Sequence, residues 1–378
     1  MVTVLFIDDD SFMLRALRRL AHRLRPDWDF ITTDDASNWQ QAIEANNPPT
    51  LVVCDYLMPK MNGDKVLTEV MNVYPTSVRT MLTGDATIEV IKGLGDESHF
   101  IIAKPFNDED FERLFSCVER LNAMEINEKM RMMLSDASLL LPLPHSVKLV
   151  RLALQNDSAS AETLADVVSS ELIVAAKILQ LANSAFMGFS RTTWSLEESI
   201  KRLGTDLLLV LLTSIGVGSY SEKFLEAKQH QVITEKALHT ALLSKELSAA
   251  AMLSPEESDL AFSTALLSGI GQLVYAHPSW QQRLGQPFSH LNQNSIVDTI
   301  NVYLLTLWGY PEDLCKIIKC LLQSHDDNRK EYPSAVIVKA SEAAINNDNR
   351  IPRDWVIGLP PSPIRESLLA LSDKQLSP

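Results

Sequence analysis

Short, largely apolar runs alternate with amphipathic stretches along the first third of the chain. Such runs, bounded by polar turn residues, predict buried strands, and apolar positions three or four residues apart predict helices. The predicted strands are 2–7, 27–33, 50–54, 78–82 and 100–103, and the predicted helices are 12–24, 36–45, 64–73, 88–94 and 108–121. This alternation implies an α/β domain in which helices cover both faces of a five-stranded parallel sheet.

The segment 109–134 contains neither proline nor glycine and keeps apolar residues at helical spacing. We expect one continuous helix there, leading from the first domain toward the second. Two helices with a bend near Asn122 are the alternative.

Strand-like runs are absent after Leu139, and helical patterns dominate to about residue 345. The predicted helices are 145–155, 161–169, 172–182, 196–202, 206–215, 227–251, 259–275, 297–307, 311–323 and 333–344. They indicate an all-α domain, followed by a polar, proline-rich tail that we expect to be loosely packed apart from a short helix at 362–371. The resulting division is a first domain at 1–122, a helical linker at 123–137, a helical domain at 138–345 and the tail at 346–378.

Composition agrees with a soluble protein of two domains. The chain has 378 residues, of which 46% are hydrophobic and 22% charged. Its net charge of −14 disfavours binding to nucleic acid or to anionic membranes. The four cysteines form no Cys-x-x-Cys pair, which argues against a zinc knuckle or a disulfide framework and fits a reducing cytoplasm. No basic segment precedes the apolar start, and no apolar run approaches the roughly 18 residues of a membrane span, so we expect neither a signal peptide nor a span.

Polar residues that follow the predicted strands supply the candidate chemistry. Asp8 and Asp9 follow the first strand, Asp55 the third, Thr83 the fourth and Lys104 the fifth. Sites in open α/β sheets lie at the carboxyl ends of the strands, so we expect these side chains to converge. Three carboxylates and an ammonium suit a hard cation and a phosphoryl group. Capping of the following helices is the structural alternative for each residue taken singly.

These residues can be assigned roles in the phosphorylation of a carboxylate. Asp55 is the candidate nucleophile because it stands alone at its strand end, and Asp8 and Asp9 can share Mg²⁺ with it. Lys104 would form a salt bridge to the acyl phosphate, and Thr83 would offer its hydroxyl to a phosphoryl oxygen.

The first 122 residues resemble the receiver domains of two-component response regulators. The resemblance rests on the acidic pair, on the run from Asp55 to Gly63 (Asp-Tyr-Leu-Met-Pro-Lys-Met-Asn-Gly), on Thr83 and on the Lys-Pro-Phe that begins at Lys104. It implies a flavodoxin-like fold, Mg²⁺ as cofactor and phosphotransfer to Asp55 from a histidine kinase or phosphotransfer protein. It also implies signalling through the face formed by the fifth strand and the helices on either side of it.

One position departs from the receiver pattern. Receivers usually have an aromatic switch residue three positions before the lysine, where this chain has Ile101. Phe100 lies one position earlier and would point to the opposite face of a regular strand. Either a local shift restores the aromatic contact or coupling from Thr83 to the output face takes another route, so the choice between Phe100 and Ile101 is left open.

The region 138–345 resembles the HDOD domain, a relative of HD phosphohydrolases. The resemblance rests on Leu-Pro-Leu-Pro at 141–144, on Leu-Ala-Asn-Ser-Ala-Phe at 181–186 and on the stretch 195–204 that follows. HD phosphohydrolases hold divalent metals with a histidine, a His-Asp dipeptide and a further aspartate. Ser268 and Gly269 stand where that dipeptide would be, and neither is a credible ligand. The family resemblance therefore implies an HD-related, non-catalytic interaction module with a link to cyclic-dinucleotide signalling.

The remaining polar candidates in this region have structural interpretations. The dipeptide His325-Asp326 lies far from Gly269 in sequence, and we interpret it as a helix terminus. His239 is one histidine on the face of a long helix. Asn183 and Ser184 are interpreted as residues that pin the domain core, because buried asparagine mostly serves the fold.

The main hypothesis is a cytoplasmic response regulator, not itself an enzyme, in which phosphorylation of Asp55 changes the surface that the helical domain presents to a protein partner. The alternative is a metal-dependent phosphodiesterase of the HD type, regulated by phosphorylation, against which Ser268 and Gly269 argue. DNA binding would need a basic helix, and Lys201-Arg202 is the best that the sequence offers. We expect no nucleic-acid or membrane partner, and leave monomer and homodimer both open.

Overall fold

A computed structural model describes residues 2–43, 47–84, 98–135, 160–184, 187–204, 208, 227–276, 293–322 and 332–376. The sheet contains β1 (Thr3–Ile7), β2 (Asp29–Thr33), β3 (Leu51–Asp55), β4 (Val78–Thr83) and β5 (Phe100–Ala103). All pairings are parallel and the strand order is β2-β1-β3-β4-β5, so β5 is an edge strand. Every residue of β1, β3 and β4 is buried, as expected of a sheet covered on both faces. The five predicted strands are confirmed.

Three α-helices accompany the described part of this sheet: α1 (Ser11–Leu24), α2 (Gly63–Val73) and α3 (Asp108–Ala123). Asp10 caps α1 by accepting a hydrogen bond from the Phe12 amide, and Asn107 begins α3 in a capping box with Asp110. The predicted helix at 88–94 lies outside the described residues.

The helix predicted at 36–45 is instead a 3₁₀ segment, Ala36–Ala42. The Asp35 side chain accepts a hydrogen bond from the Ser37 amide and fixes the entry to this segment. The Trp39 indole, which is fully buried, donates to Glu69 of α2. Tertiary contacts of the indole therefore outweigh the local helical pattern.

The continuous helix predicted over 109–134 is wrong. The backbone leaves helical geometry at Met124, where ψ is 126°, and a second helix, α4 (Glu128–Leu134), follows. Asn127 caps α4 by accepting a 2.8 Å hydrogen bond from the Met130 amide. The alternative of two helices is the correct one, with the break just beyond Asn122.

The rest of the described chain is helical. It comprises α5 (Ala161–Ser169), α6 (Leu172–Ala182), α7 (196–204), α8 (Ala227–Ala250), α9 (Pro255–Ser268), α10 (Ile270–Ala276), α11 (Gln293–Leu307), α12 (Glu312–Leu322), α13 (Pro333–Ile345), α14 (Arg353–Ile357) and α15 (Pro363–Leu376). The helix predicted at 259–275 is two helices that meet at Gly269. The predicted helix at 145–155 lies outside the described residues, as does 206–215 apart from Leu208.

The tail is packed rather than loose. Val356 of α14 and Leu368 of α15 are fully buried, and the Ser372 hydroxyl donates to the Ile351 carbonyl. Helix α14 is not predicted from the sequence. Within the described ranges, no helix is both long enough and apolar enough to cross a membrane.

Candidate functional site

The predicted site residues lie at the carboxyl edge of the sheet. The Lys104 ammonium is 2.8 Å from Asp8 Oδ2 and 2.8 Å from Asp55 Oδ1. Asp9 is exposed, whereas Asp8 and Asp55 are buried. Thr83 ends β4 beside them, and its carbonyl accepts a 2.6 Å hydrogen bond from the Lys104 amide. Lys104 therefore bridges the carboxylates of Asp8 and Asp55, which follow β1 and end β3 and are 47 positions apart in the chain.

The electrostatics of the site follow from partial burial. Burial raises the pKa of the Asp55 carboxyl, and the hydrogen bond and charge of Lys104 oppose that rise without cancelling it. Burial lowers the pKa of Lys104, but hydrogen bonds to Asp55 and Asp8 outweigh burial and leave this pKa raised. Lys104 is therefore a fixed positive charge that offsets part of the carboxylate charge.

The same carboxylates suit a cation. Among the described residues, the group that could hold a metal is Asp8, Asp9 and Asp55, with one ligand oxygen of each within 4.8 Å of the others. Asp8 is held from two sides, because its Oδ1 accepts from the Asp10 amide at 2.9 Å and its Oδ2 accepts from Lys104. Because Asp9 is exposed to solvent, a hard divalent cation bound by these carboxylate oxygens could keep water ligands.

Gly63 positions Asp55 by close backbone approach. A Cβ atom at Gly63 would lie 2.2 Å from the Asp55 carbonyl oxygen, and the Gly63 amide donates to the Tyr56 carbonyl. The loop that leaves β3 therefore folds back onto it only because residue 63 has no side chain.

Replacing Gly63 by alanine is expected to lower the free energy of unfolding by about 1–3 kcal/mol, because the new Cβ overlaps backbone that has to shift. Gly84→Ala is the control, since no atom of the residues that the structure describes lies within 4 Å of a Cβ at Gly84. Thermal unfolding of the two variants measures the difference. Equal melting temperatures for Gly63→Ala and Gly84→Ala would contradict this account of the loop.

Two family models match the chain. The model of the response regulator receiver domain matches residues 4–116, and the model of the HDOD domain matches residues 140–323. The chain is a receiver domain joined to an HDOD domain. A receiver domain implies a kinase or phosphotransfer protein as partner.

Solved structures similar to this chain include receiver domains and response regulators. The MmoQ response regulator from Methylococcus capsulatus is 19% identical, covering 63% of this chain and 96% of that chain with a TM-score of 0.48. The signal receiver domain of an HD domain-containing protein from Pseudomonas fluorescens is 23% identical, covering 32% and 94% with a TM-score of 0.29. An uncharacterized protein from Neptuniibacter caesariensis is 27% identical, covering 34% and 97% with a TM-score of 0.30. A comparison with curated proteins gives no match.

The receiver and the HDOD domain meet along β5 and α3. Helix α3 packs against α11 of the HDOD domain. Hydrogen bonds across this boundary include those from the Cys117 thiol to the Thr306 carbonyl (2.9 Å), from Arg120 to the Tyr310 carbonyl (3.1 Å) and from Gln180 to the His99 carbonyl (3.1 Å). The described part of the expected output face, β5 and the helix after it, is therefore covered by the HDOD domain.

Phe100, the aromatic residue one position before the usual switch position, lies at this boundary. Ile101 is 3% exposed and pairs in register with Met81 inside the sheet. Phe100 instead places its ring against Gly309, where an added Cβ would lie 2.5 Å from ring carbon Cε1. No shift of register brings Phe100 to the position of Ile101, since Phe100 pairs regularly with Thr80.

The position of the absent His-Asp dipeptide is filled by apolar side chains. A Cβ at Gly269 would lie 2.7 Å from Leu172 Cδ1 and 2.9 Å from the Ala237 Cβ. His239 is exposed on α8, and His325-Asp326 lies outside the described residues. The part of the HDOD domain that the structure describes contains no group of three potential metal ligands.

Asn183 and Ser184, which belong to the motif of the HDOD resemblance, form hydrogen bonds with the backbone of their own domain. Asn183 forms two reciprocal 2.8 Å hydrogen bonds with the Thr193 backbone, and the Ser184 hydroxyl donates to the Leu181 carbonyl. The structural interpretation of this pair agrees with these contacts. Sequence reasoning missed the residues across the boundary, because nothing local distinguishes Cys117, Gln180 or Gly309 from ordinary helix and turn residues.

Proposed function

We propose that the chain is a response regulator in which phosphorylation of Asp55 controls a non-catalytic HDOD domain. The observation that carries the proposal is the position of Lys104, 2.8 Å from carboxylate oxygens of both Asp8 and Asp55. A structural salt bridge needs one carboxylate, whereas here a partly buried lysine is shared by two carboxylates and a third lies beside them. Clusters of this kind are typical of phosphoryl-transfer sites.

Each side chain has a role in the transfer. An oxygen of Asp55 attacks the phosphorus atom of the donor, and the bond from phosphorus to the donor's leaving group breaks as the acyl phosphate forms. Lys104 remains charged and moves its hydrogen bonds toward the new phosphoryl oxygens. Thr83 offers a hydroxyl at the same edge, and the open space beside Gly84 accommodates the group.

Mg²⁺ fits this site, and Asp8, Asp9 and Asp55 would hold it. When bound, the ion supplies neutralisation of charge on the phosphoryl oxygens. Asp8 is oriented for this role by the Asp10 amide and by Lys104, so its carboxylate does not have to reorganise.

The output is proposed to be a protein-binding surface rather than a catalytic site. Leu172 and Ala237 occupy the space that a side chain at Gly269 would need, and this packing supports a role without an HD metal site. Phosphorylation then acts by changing the packing of the HDOD domain against the receiver, and a partner protein reads the change. A link to cyclic-dinucleotide signalling would come through that partner.

Labelling with a small acyl-phosphate donor and Mg²⁺ tests the proposal. The wild-type chain is expected to take up label that is lost in Asp55→Asn and on addition of a chelator. Asp34→Asn is the matched control, because Asp34 is an exposed aspartate that directly follows β2 at the same edge. Equal labelling of Asp55→Asn and the wild type would rule out Asp55 as the acceptor.

A further inference from the structure

Strand β5 connects the carboxylate site at Lys104 with the domain boundary at Phe100. Lys104 directly follows its carboxyl end, and Phe100 is its first residue. At about 3.3 Å per residue, the two Cα atoms are roughly 13 Å apart. β4 and β5 stay paired up to the Lys104 amide, which donates to Thr83. A displacement of Lys104 therefore moves a short, hydrogen-bonded strand whose other end is Phe100.

The Phe100 ring packs directly against the backbone of Gly309, which has no side chain. Gly309 follows α11 with φ +76°, in a turn whose amides donate from Gly309 to Thr306 and from Tyr310 to Leu305. The ring of Phe100 occupies the space where a side chain at this position would begin. Gly204 adopts φ +73°, but no atom of the described residues lies within 4 Å of its Cβ position, so positive φ alone does not require this contact.

A cavity borders the Phe100 ring. A cavity of about 80 Å³ adjoins the ring and is lined from the HDOD side by Gln180, Trp308 and Tyr310. Gln180 belongs to α6, which leads into Asn183, and its side chain holds the His99 carbonyl one residue before Phe100. The ring therefore has a neighbouring space, and the strand end is tied to the HDOD helix that carries the family motif.

We propose that Phe100, seated on Gly309, is the positioning residue through which the receiver transmits its state to the HDOD domain, in place of an aromatic residue at position 101. This inference rests on the proposed function. In the unphosphorylated chain the ring holds the 308–310 turn closed against β5. On phosphorylation, Lys104 is drawn to the phosphoryl group, β5 shifts, and the Phe100 ring leaves Gly309 for the cavity.

Hydrogen exchange of the full-length chain tests the proposal, read at the Gly309 and Tyr310 amides with and without beryllium trifluoride and Mg²⁺ as the acyl-phosphate mimic. In the wild type, exchange is expected to rise about fivefold or more with the mimic, the lower range of typical allosteric coupling. In Phe100→Leu the change is expected to fall below twofold, although Asp55 still takes label from a phosphoryl donor. That retained labelling separates loss of transmission from loss of the receiver fold.

A second pair of variants tests the contact from the HDOD side. Gly309→Ala is expected to raise exchange at these amides about fivefold without the mimic, because its Cβ displaces the ring. Gly204→Ala places a side chain at a similar positive φ with no described neighbour within 4 Å, and it is expected to leave exchange at the Gly309 and Tyr310 amides unchanged. Adding Phe100→Leu to Gly309→Ala removes the overlap, so Gly309→Ala is expected to add less than twofold to the exchange of a chain that already carries Phe100→Leu, as a double-mutant cycle would show for a direct contact.

The outcomes separate the inference from the proposed function. If Asp55 takes label but Phe100→Leu keeps the full response to the mimic, Phe100 does not transmit the signal and the inference is overturned. Equal effects of Gly309→Ala and Gly204→Ala would also overturn it. If the wild type takes no label at Asp55, the proposed function fails and the inference fails with it.

Discussion

Replacing Lys104 by alanine is expected to slow phosphorylation of Asp55 about 100-fold or more, the usual effect of removing one preorganised charge that faces a developing anion. The Lys104 ammonium is the positive group that the structure places on both Asp8 and Asp55. Without it, Mg²⁺ alone would offset the negative charge that the transferred group brings close to two buried carboxylates. Initial rates of labelling with a small acyl-phosphate donor at saturating Mg²⁺ measure the loss.

The same variant is expected to bind Mg²⁺ about tenfold more tightly, because a dication no longer has to approach a fixed ammonium held by the same carboxylates. Titration calorimetry of the unphosphorylated chain measures this affinity independently of phosphotransfer. Lys60→Ala is the control, since Lys60 lies in the loop after Asp55 but its side chain is 72% exposed. Wild-type labelling rates in Lys104→Ala would show that Lys104 has only a structural role.

The receiver site could be predicted from sequence because its geometry follows from topology. Once Asp8, Asp55, Thr83 and Lys104 are each assigned to the end of a parallel strand, strand order alone brings them to one edge. Their identities then indicate the chemistry. The contacts between Lys104 and the two carboxylates add distances and burial to the set of residues predicted from the sequence.

Helix boundaries were harder to predict because tertiary contacts decide them. Residues 109–134 have an uninterrupted helical pattern, yet the chain turns at Met124 so that Met130 and Met133 of α4 can be buried. The turn is stabilised by the Asn127 cap, which a sequence pattern cannot distinguish from a mid-helix asparagine. Burial of the Trp39 indole, which donates to Glu69, likewise favours a 3₁₀ segment over the predicted helix.

The boundary between the domains was beyond prediction because its contacts are non-local. Phe100 and Gly309 are separated by most of the HDOD domain, and a phenylalanine on an edge strand does not indicate what covers it. From the sequence, Phe100 and Ile101 remained alternatives for the switch residue. Only the fold shows that Ile101 is buried in the sheet while Phe100 contacts the HDOD domain.

Restoring the acidic half of the HD dipeptide with Gly269→Asp is expected to destabilise the chain by about 3 kcal/mol or more. A carboxylate at this position would overlap Leu172 Cδ1 and the Ala237 Cβ, and it would be placed at a buried position of the helical packing. Gly269→Ala is expected to cost less, about 1–3 kcal/mol, because it adds overlap without a charge. Thermal unfolding of the full-length variants measures both losses.

Ser268→Ala is the control for this position, since its hydroxyl only donates to the Ala265 carbonyl one turn back. Labelling of Asp55 in Gly269→Asp shows whether the receiver is still folded, so a loss confined to the HDOD domain is distinguishable from global failure. A Gly269→Asp chain with the wild-type melting temperature and new Mn²⁺ binding would mean that Leu172 and Ala237 can yield to a metal. The packing argument for a non-catalytic HDOD domain would then have to be abandoned, because the obstacle to metal binding would be the identity of residue 269 rather than the packing of the helices around it.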